Sequence, residues 1–274
     1  MLRSPRPSRL GFTLFQLLLV LAILIILLAL MLPALVRVRV AAARSQCANN
    51  LKQIALAMHN CNDTYGKLPP AVGSFPAANK LHNTYFFYVL PFIEQANLYN
   101  RAQTGDDFSA WTNEVYSQPI KTYLCPQDNT GDKTNQYDGW LATCNYAANY
   151  LVFGDPPRNS LEGSPRIPAT FLDGTSNTIV FAERLQVCGG QPNSWAYAGA
   201  SPWTPVFAYY STDRFQVNPS DQACDPELAQ GPHPGGLQVG IADGSVRFLS
   251  EKLSETTWYF ALTPNGGEVF GADW

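Results

Sequence analysis

The sequence predicts an α+β chain in which a long N-terminal helix packs on a mostly antiparallel β head with short helices and long loops. Three observations carry this. Leu10 to Val36 is a run of 27 residues without a charge, nearly pure Leu, Ile, Val and Ala from Leu17 to Met31. Helical periodicity continues past that run to Tyr65. Across the chain, 21 Pro and 20 Gly in 274 residues, with short alternating apolar runs beyond Tyr65, point to turns and short strands and not to a helix bundle.

Composition bounds the function. At 46% hydrophobic and 14% charged, the chain is not disordered. The net charge of −3 is unevenly laid out, because no Asp or Glu precedes Asp63, so residues 1–62 carry +7 and residues 63–274 carry −10. An acidic body lacks the clustered Lys and Arg that displace phosphate counterions, and nucleic acid is set aside as a partner.

As a helix, the uncharged run measures about 40 Å against roughly 30 Å of bilayer core, which predicts a transmembrane helix over residues 12–36. Two plainer alternatives are a cleaved signal peptide and a simple signal anchor. The run exceeds the usual 7–15 residue apolar region of a signal peptide, and Ala41 to Ala43 lead into more helix instead of an extended mature start.

The segment Arg9-Leu10-Gly11-Phe12-Thr13-Leu14-Phe15-Gln16-Leu17-Leu18, behind the basic leader Arg3, Arg6 and Arg9, resembles the processing site of type IV prepilins and type II secretion pseudopilins. The resemblance implies a leader over residues 1–11, cleavage after Gly11 by a prepilin peptidase, and methylation of the new amino terminus at Phe12. It also implies a single pass through the bacterial inner membrane, with the N-terminus cytoplasmic and the head periplasmic. The partners implied are the peptidase, other pilin-like subunits and inner-membrane lipid. Arg37, Arg39 and Arg44 balance the leader arginines, so positive-inside counting alone is a tie and the resemblance and the cysteine content decide the topology. Pro33 sits where pilin helices commonly carry a proline, either loosening the helix there or marking the end of the span. One residue departs from the pattern: the fifth position after the cut is usually Glu and here is Gln16. A carboxylate can pair with a neighbouring subunit's ammonium in low dielectric, whereas an amide offers an ordinary hydrogen bond.

Residues 37–66 are expected to form an amphipathic stalk. Leu51, Ile54, Ala55 and Met58 repeat at helical spacing, and Gly66 before Leu68-Pro69-Pro70 stops the helix. Six cysteines occur without a C-x-x-C pair, which argues against zinc and against a thioredoxin-like site. Cys47 and Cys61 share the stalk's apolar stripe but stand about 21 Å apart along it, too far to bond each other. For Cys47, Cys125 in Tyr123-Leu124-Cys125-Pro126 is the preferred disulfide partner among 15 possible pairings, the alternative being buried thiols that act as small hydrophobes.

In the head, residues 67–274, Tyr85 to Tyr99 follow a helical stripe interrupted by Pro91. Strands are expected from Thr178 to Ala182, from Leu237 to Ala242 and from Ser245 to Leu249, the last two joined by an Asp243-Gly244 turn, with Val246 and Phe248 facing inward. Trp258 to Leu262 read as a last short helix. The segments Asn49-Asn50-Leu51-Lys52-Gln53-Ile54, Leu124-Cys125-Pro126, Asp173-Gly174-Thr175-Ser176-Asn177-Thr178, and His233 through Asp243-Gly244 resemble a large bacterial family of pilin-like proteins with an H-x9-D-G domain of unknown function. That resemblance covers nearly the whole chain and adds a pilin-like, pseudopilin-like fold to the α+β expectation.

For His233 and Asp243 the favoured reading is a hairpin turn at Asp243-Gly244 and a loop-capping hydrogen bond from His233. A metal held by His233, Asp243 and Glu183 is a second reading. Some pseudopilins hold calcium, but calcium prefers oxygen to imidazole. A catalytic pair is a third reading, and no G-x-S-x-G site accompanies it. The expected function is therefore structural and non-enzymatic. A membrane-anchored binding module, presenting Trp195, Tyr197, Trp203, Tyr209 and Tyr210 to a glycan or protein, is the alternative, and an anchored hydrolase is the third class.

Overall fold

Helix α1 runs from Leu14 to Tyr65 in the computed structural model of the chain, which describes residues 14–77 and 81–274 and, at positions 30, 33, 34 and 36, the backbone alone. Two compact units divide the chain, residues 1–42 and 43–274. In the first, the large apolar side chains of α1 face solvent, Leu14 at 75% exposure and Leu28 at 62%. Among the described residues no helix is long and apolar enough to cross a membrane. The stretch whose every side chain is described, residues 14–29, amounts to about 24 Å of helix against a bilayer core of about 30 Å. Gly11 and Phe12 lie outside the described residues, and Gln16 is exposed near the start of α1.

In the second unit α1 has a buried face. Cys47, Leu51, Ile54, Met58 and Cys61, spaced by three or four residues, are all fully buried, as is Ala55 beside Ile54. The helix ends where Gly66 turns left-handed at φ +67° and its N–H reaches Asn62 O at 2.7 Å.

Five strands form the central sheet: β1 (Tyr146–Asn149), β2 (Ile179–Glu183), β3 (Val206–Phe207), β4 (Gly236–Ile241) and β5 (Val246–Ser250). Their order is β3-β1-β2-β4-β5, antiparallel throughout except for the parallel β3–β1 edge. All of β1, β2 and β4 is buried, because both faces of the sheet are covered. Leu51, Ile54 and Met58 of α1 pack with Tyr146, Ala148 and Phe181. On the other side Trp258, Ala261 and Leu262 of helix α2 (Glu255–Leu262) pack with Ala147, Ala182 and Val239. Burial on both faces explains why these strands read as nearly continuous apolar runs.

Two expectations are corrected. The Tyr85 to Tyr99 stripe is not one interrupted helix but a helical turn, Tyr85–Tyr88, a 3-10 turn, Leu90–Ile93, and a second short helix, Ala96–Arg101. Pro91 lies in the first positions of the 3-10 turn, and Glu94 at φ 64° ends it. Residues 85–90 are all buried, so no polar face exists to make a stripe. Nor does β5 bury one face only, since Val246, Arg247 and Phe248 are all partly covered. The Arg44 guanidinium sits 3.3 Å from the Phe248 ring centroid, and that of Arg247 sits 4.6 Å from the Trp274 ring, so each face of this edge strand carries a cation–aromatic contact.

The Asp173-Gly174-Thr175-Ser176-Asn177-Thr178 segment is a clamp. Asp173 accepts from the Gly266 and Gly267 backbone N–H groups at 2.6 and 2.8 Å, while Asn177 Nδ2 donates to Asp173 O at 2.9 Å. The segment just past α2 is held against the start of β2 by this one carboxylate.

Candidate functional site

Four segments far apart in sequence meet at one buried point. Cys47 comes from α1, Cys125 from the loop after Tyr123, Glu183 from the last position of β2, and His233 from the loop entering β4. Cys47 and Cys125 are joined in a disulfide with Cα atoms 5.1 Å apart. Glu183 Oε1 lies 2.8 Å from His233 Nε2, and that same nitrogen lies 3.7 Å from Cys125 Sγ. None of the four side chains is more than 2% exposed.

Sheet register builds this arrangement. Pairing of Val239 with Ala182 sets Glu183 beside Gln238, whose backbone N–H donates to Glu183 Oε2 at 2.8 Å. The Gln238 side-chain Nε2 donates to Arg44 O at 2.7 Å and lies 3.3 Å from His233 Nε2. Tyr146 Oη donates to Cys47 O at 3.3 Å. Asn50 Nδ2 donates to Leu124 O at 2.8 Å, and Asn145 Oδ1 accepts from Cys125 N–H at 2.8 Å. Residues 44–50 of α1 are thus tied to the Cys125 loop by a covalent bond and to the sheet by the Tyr146 and Gln238 side chains that reach helix carbonyls. With every member buried, no substrate-sized molecule touches the cluster in this conformation; its evident work is to clasp helix to sheet.

Burial pushes the Glu183 carboxyl above its ordinary range, because a charge is expensive away from water. The His233 ring, the Gln238 N–H and the Arg44 charge oppose this without cancelling it. His233 Nδ1 is buried and has no hydrogen-bond partner among the described residues.

Asp243 is elsewhere, which corrects the proposed His233–Asp243–Glu183 metal set. The six residues of β4 separate it from His233, about 20 Å of strand. Exposed at the hairpin, Asp243 accepts from Ser245 N–H at 2.8 Å. Gly244, at φ +85°, supplies the left-handed turn residue, and Lys52 of α1 donates to its carbonyl at 2.6 Å. The H-x9-D-G spacing is therefore one strand with a docking point on α1 at each end. The side chain of His233 caps no loop but pairs with Glu183. A single carboxylate among sulfurs and imidazole is also a poor cage for calcium.

Three features escape sequence reasoning. Gln238 is one of many glutamines. Cys188 and Cys224 form a second disulfide between a two-residue strand and a loop, neither with a periodic signal. Arg184, fully buried, donates to Thr204 O at 2.7 Å, Val206 O at 3.1 Å, Pro202 O at 2.5 Å and to Pro226 O, gathering two loops on one guanidinium. Burial lowers its pKa to about 10.

Cys61 and Cys144 stay free and buried, each thiol pushed up to about 12 by desolvation. Alkylation of the native, non-reduced protein at pH 8 is expected to modify neither, and alkylation after unfolding in urea to modify both; mass spectrometry of the intact chain reads the difference.

The aromatic surface also differs from expectation. Trp195 is core, its Nε1 donating to Gln118 O at 3.1 Å. Tyr210 does lie at the surface, 47% exposed, and packs on the half-buried Tyr209. Tyr197 and Trp203, both in the expected set, belong to a chain of rings in which they meet Trp140, Tyr116 and Trp111, with Trp111 and Trp140 45% and 39% exposed.

Residues 37–256 match the family described as Protein of unknown function (DUF1559). No curated protein and no solved structure matches the chain.

Proposed function

From the premise that the chain belongs to the DUF1559 family, a family typical of pilin-like proteins, we propose that it is a structural, pilin-like subunit of a bacterial envelope secretion or fibre system. In this reading, prepilin peptidase cuts after Gly11, Phe12 is methylated, and the apolar half of α1 anchors the subunit in the inner membrane, head outward. The observation that carries it is that a single helix, Leu14–Tyr65, exposes large apolar side chains in its first half and buries one face in its second. Burying those apolar side chains in lipid or against neighbouring subunits removes the cost of their exposure to water.

Gln16 makes the subunit a minor or tip-like component, or a membrane-retained relative, because it lacks the carboxylate that would pair with a neighbour's ammonium. Gln16→Glu is expected to raise fibre incorporation several-fold, read as subunit content of sheared fibres; equal incorporation removes this part of the proposal.

The exposed Trp111 and Trp140 favour one second reading, an anchored binding module that does not polymerise, since clustered surface aromatics mark recognition sites. Photo-crosslinking from α1 in intact membranes separates the two. Crosslinks to other pilin-like subunits support a fibre component, and a helix that crosslinks to lipid alone supports the module.

A further inference from the structure

We propose that Cys47, Cys125, Glu183 and His233 form a four-ligand site for a zinc-class divalent cation when the Cys47–Cys125 disulfide is reduced. The same cluster is then closed by a covalent bond in the oxidised chain and by a metal in the reduced one.

Both Sγ atoms, one imidazole nitrogen and one carboxylate oxygen lie within 4.8 Å of one another, all in buried residues. Two thiolates, an imidazole and a carboxylate are the donor set that suits tetrahedral zinc, at about 2.0–2.3 Å per ligand. Little movement is needed to seat it. The Cys47 and Cys125 Cα atoms are already 5.1 Å apart, and Glu183 Oε1 and His233 Nε2 already face the sulfurs. The ligands also stand on rigid supports: α1 carries Cys47, β2 carries Glu183, and Asn145 holds the Cys125 backbone. The Gln238 N–H occupies Glu183 Oε2, which leaves Oε1 turned to the cluster, the outer-shell support that metal carboxylates use. Arg44, near enough to act on Glu183, offsets the surplus negative charge of two thiolates and a carboxylate on a divalent ion.

The chemistry balances with a dithiol as reductant. Two electrons and two protons pass to the Cys47–Cys125 bond, giving two thiols, while the dithiol closes to its own disulfide. The cation then displaces both thiol protons and takes His233 as neutral imidazole and Glu183 as carboxylate. The consequence is for folding: among six cysteines, a metal that holds Cys47 against Cys125 before oxidation selects that pair.

The test uses the full chain in detergent, reduced with a dithiol that is then removed without oxygen, and titrated with Co2+ followed by Zn2+. One equivalent of Co2+ is expected to bind with a thiolate-to-metal charge-transfer band that Zn2+ abolishes. Cys47→Ser and Cys125→Ser remove the band, and Cys188→Ser leaves it. His233→Ala weakens binding by more than the roughly 10–100-fold that loss of an outer-shell partner costs. In case a variant does not fold, alkylation of the unmodified reduced chain gives the same answer: Zn2+ shields Cys47 and Cys125 but not Cys188 and Cys224. A folded reduced chain without the band, a band that survives Cys47→Ser, or shielding at Cys188 and Cys224 instead overturns the proposal.

Discussion

Glu183→Ala is expected to destabilise the 43–274 unit by about 3–5 kcal/mol, because it strips a buried partner from His233 and leaves the Gln238 N–H without an acceptor. A loss of that size is a large fraction of an ordinary domain's total stability. Glu183→Gln separates charge from shape. Its amide still accepts from Gln238 and donates to His233, so it is expected to cost less than about 1.5 kcal/mol. The pH profile of urea stability supplies the sign. The folded carboxyl keeps its proton above the ordinary value of about 4.5, so between that value and its raised one the folded state binds more protons than the unfolded. This group's contribution is present below pH 4.5 and is lost as pH rises through the raised value. Glu183→Gln flattens that fall. A Glu183→Ala protein as stable as the natural one would show that the cluster does not clasp the helix.

Removing the Cys47–Cys125 bond by replacing both residues with alanine is the second large effect. Its 78-residue separation corresponds to about 4.5 kcal/mol of loop entropy, against about 3.8 kcal/mol for the 36-residue separation of Cys188 and Cys224. The two losses should differ more than loop length alone provides, because the first also removes the covalent link between α1 and the Cys125 loop, which sits against Glu183 and His233. For the same reason the Cys47/Cys125 double change and Glu183→Ala should not add, since Cys125 Sγ and Glu183 Oε1 are 4.0 Å apart. Equal midpoint shifts for the two alanine pairs in urea, with full additivity to Glu183→Ala, would reduce the cluster to ordinary packing.

Local signals were readable. Gly66 ends α1 as its position after Tyr65 suggests, and Asp243-Gly244 turns the hairpin. What was not readable is pairing between distant segments. Glu183 lies against His233 because β2 and β4 are neighbours in one sheet, and strand order is not written in local periodicity. The H-x9-D-G spacing suggests Asp243 as His233's partner, yet nine intervening residues threaded through a strand drive the two side chains apart. The burial of residues 85–90 has the same origin: with Tyr85 between Phe153 and Phe181, ring centroids 4.7 and 5.1 Å away, tertiary packing overrides the amphipathic stripe. Arg184 gave no signal because its partners are backbone carbonyls, which every residue carries.

The central claim, that this is a pilin-like subunit held by its own processed helix, rests most directly on the mature N-terminus. Mass spectrometry of the protein isolated from its native membranes is expected to find a chain that begins at N-methylated Phe12, having lost Arg3, Arg6 and Arg9 with the leader and moved from a net charge of −3 to −6. An intact leader, or a chain that begins near Ala43, would contradict it.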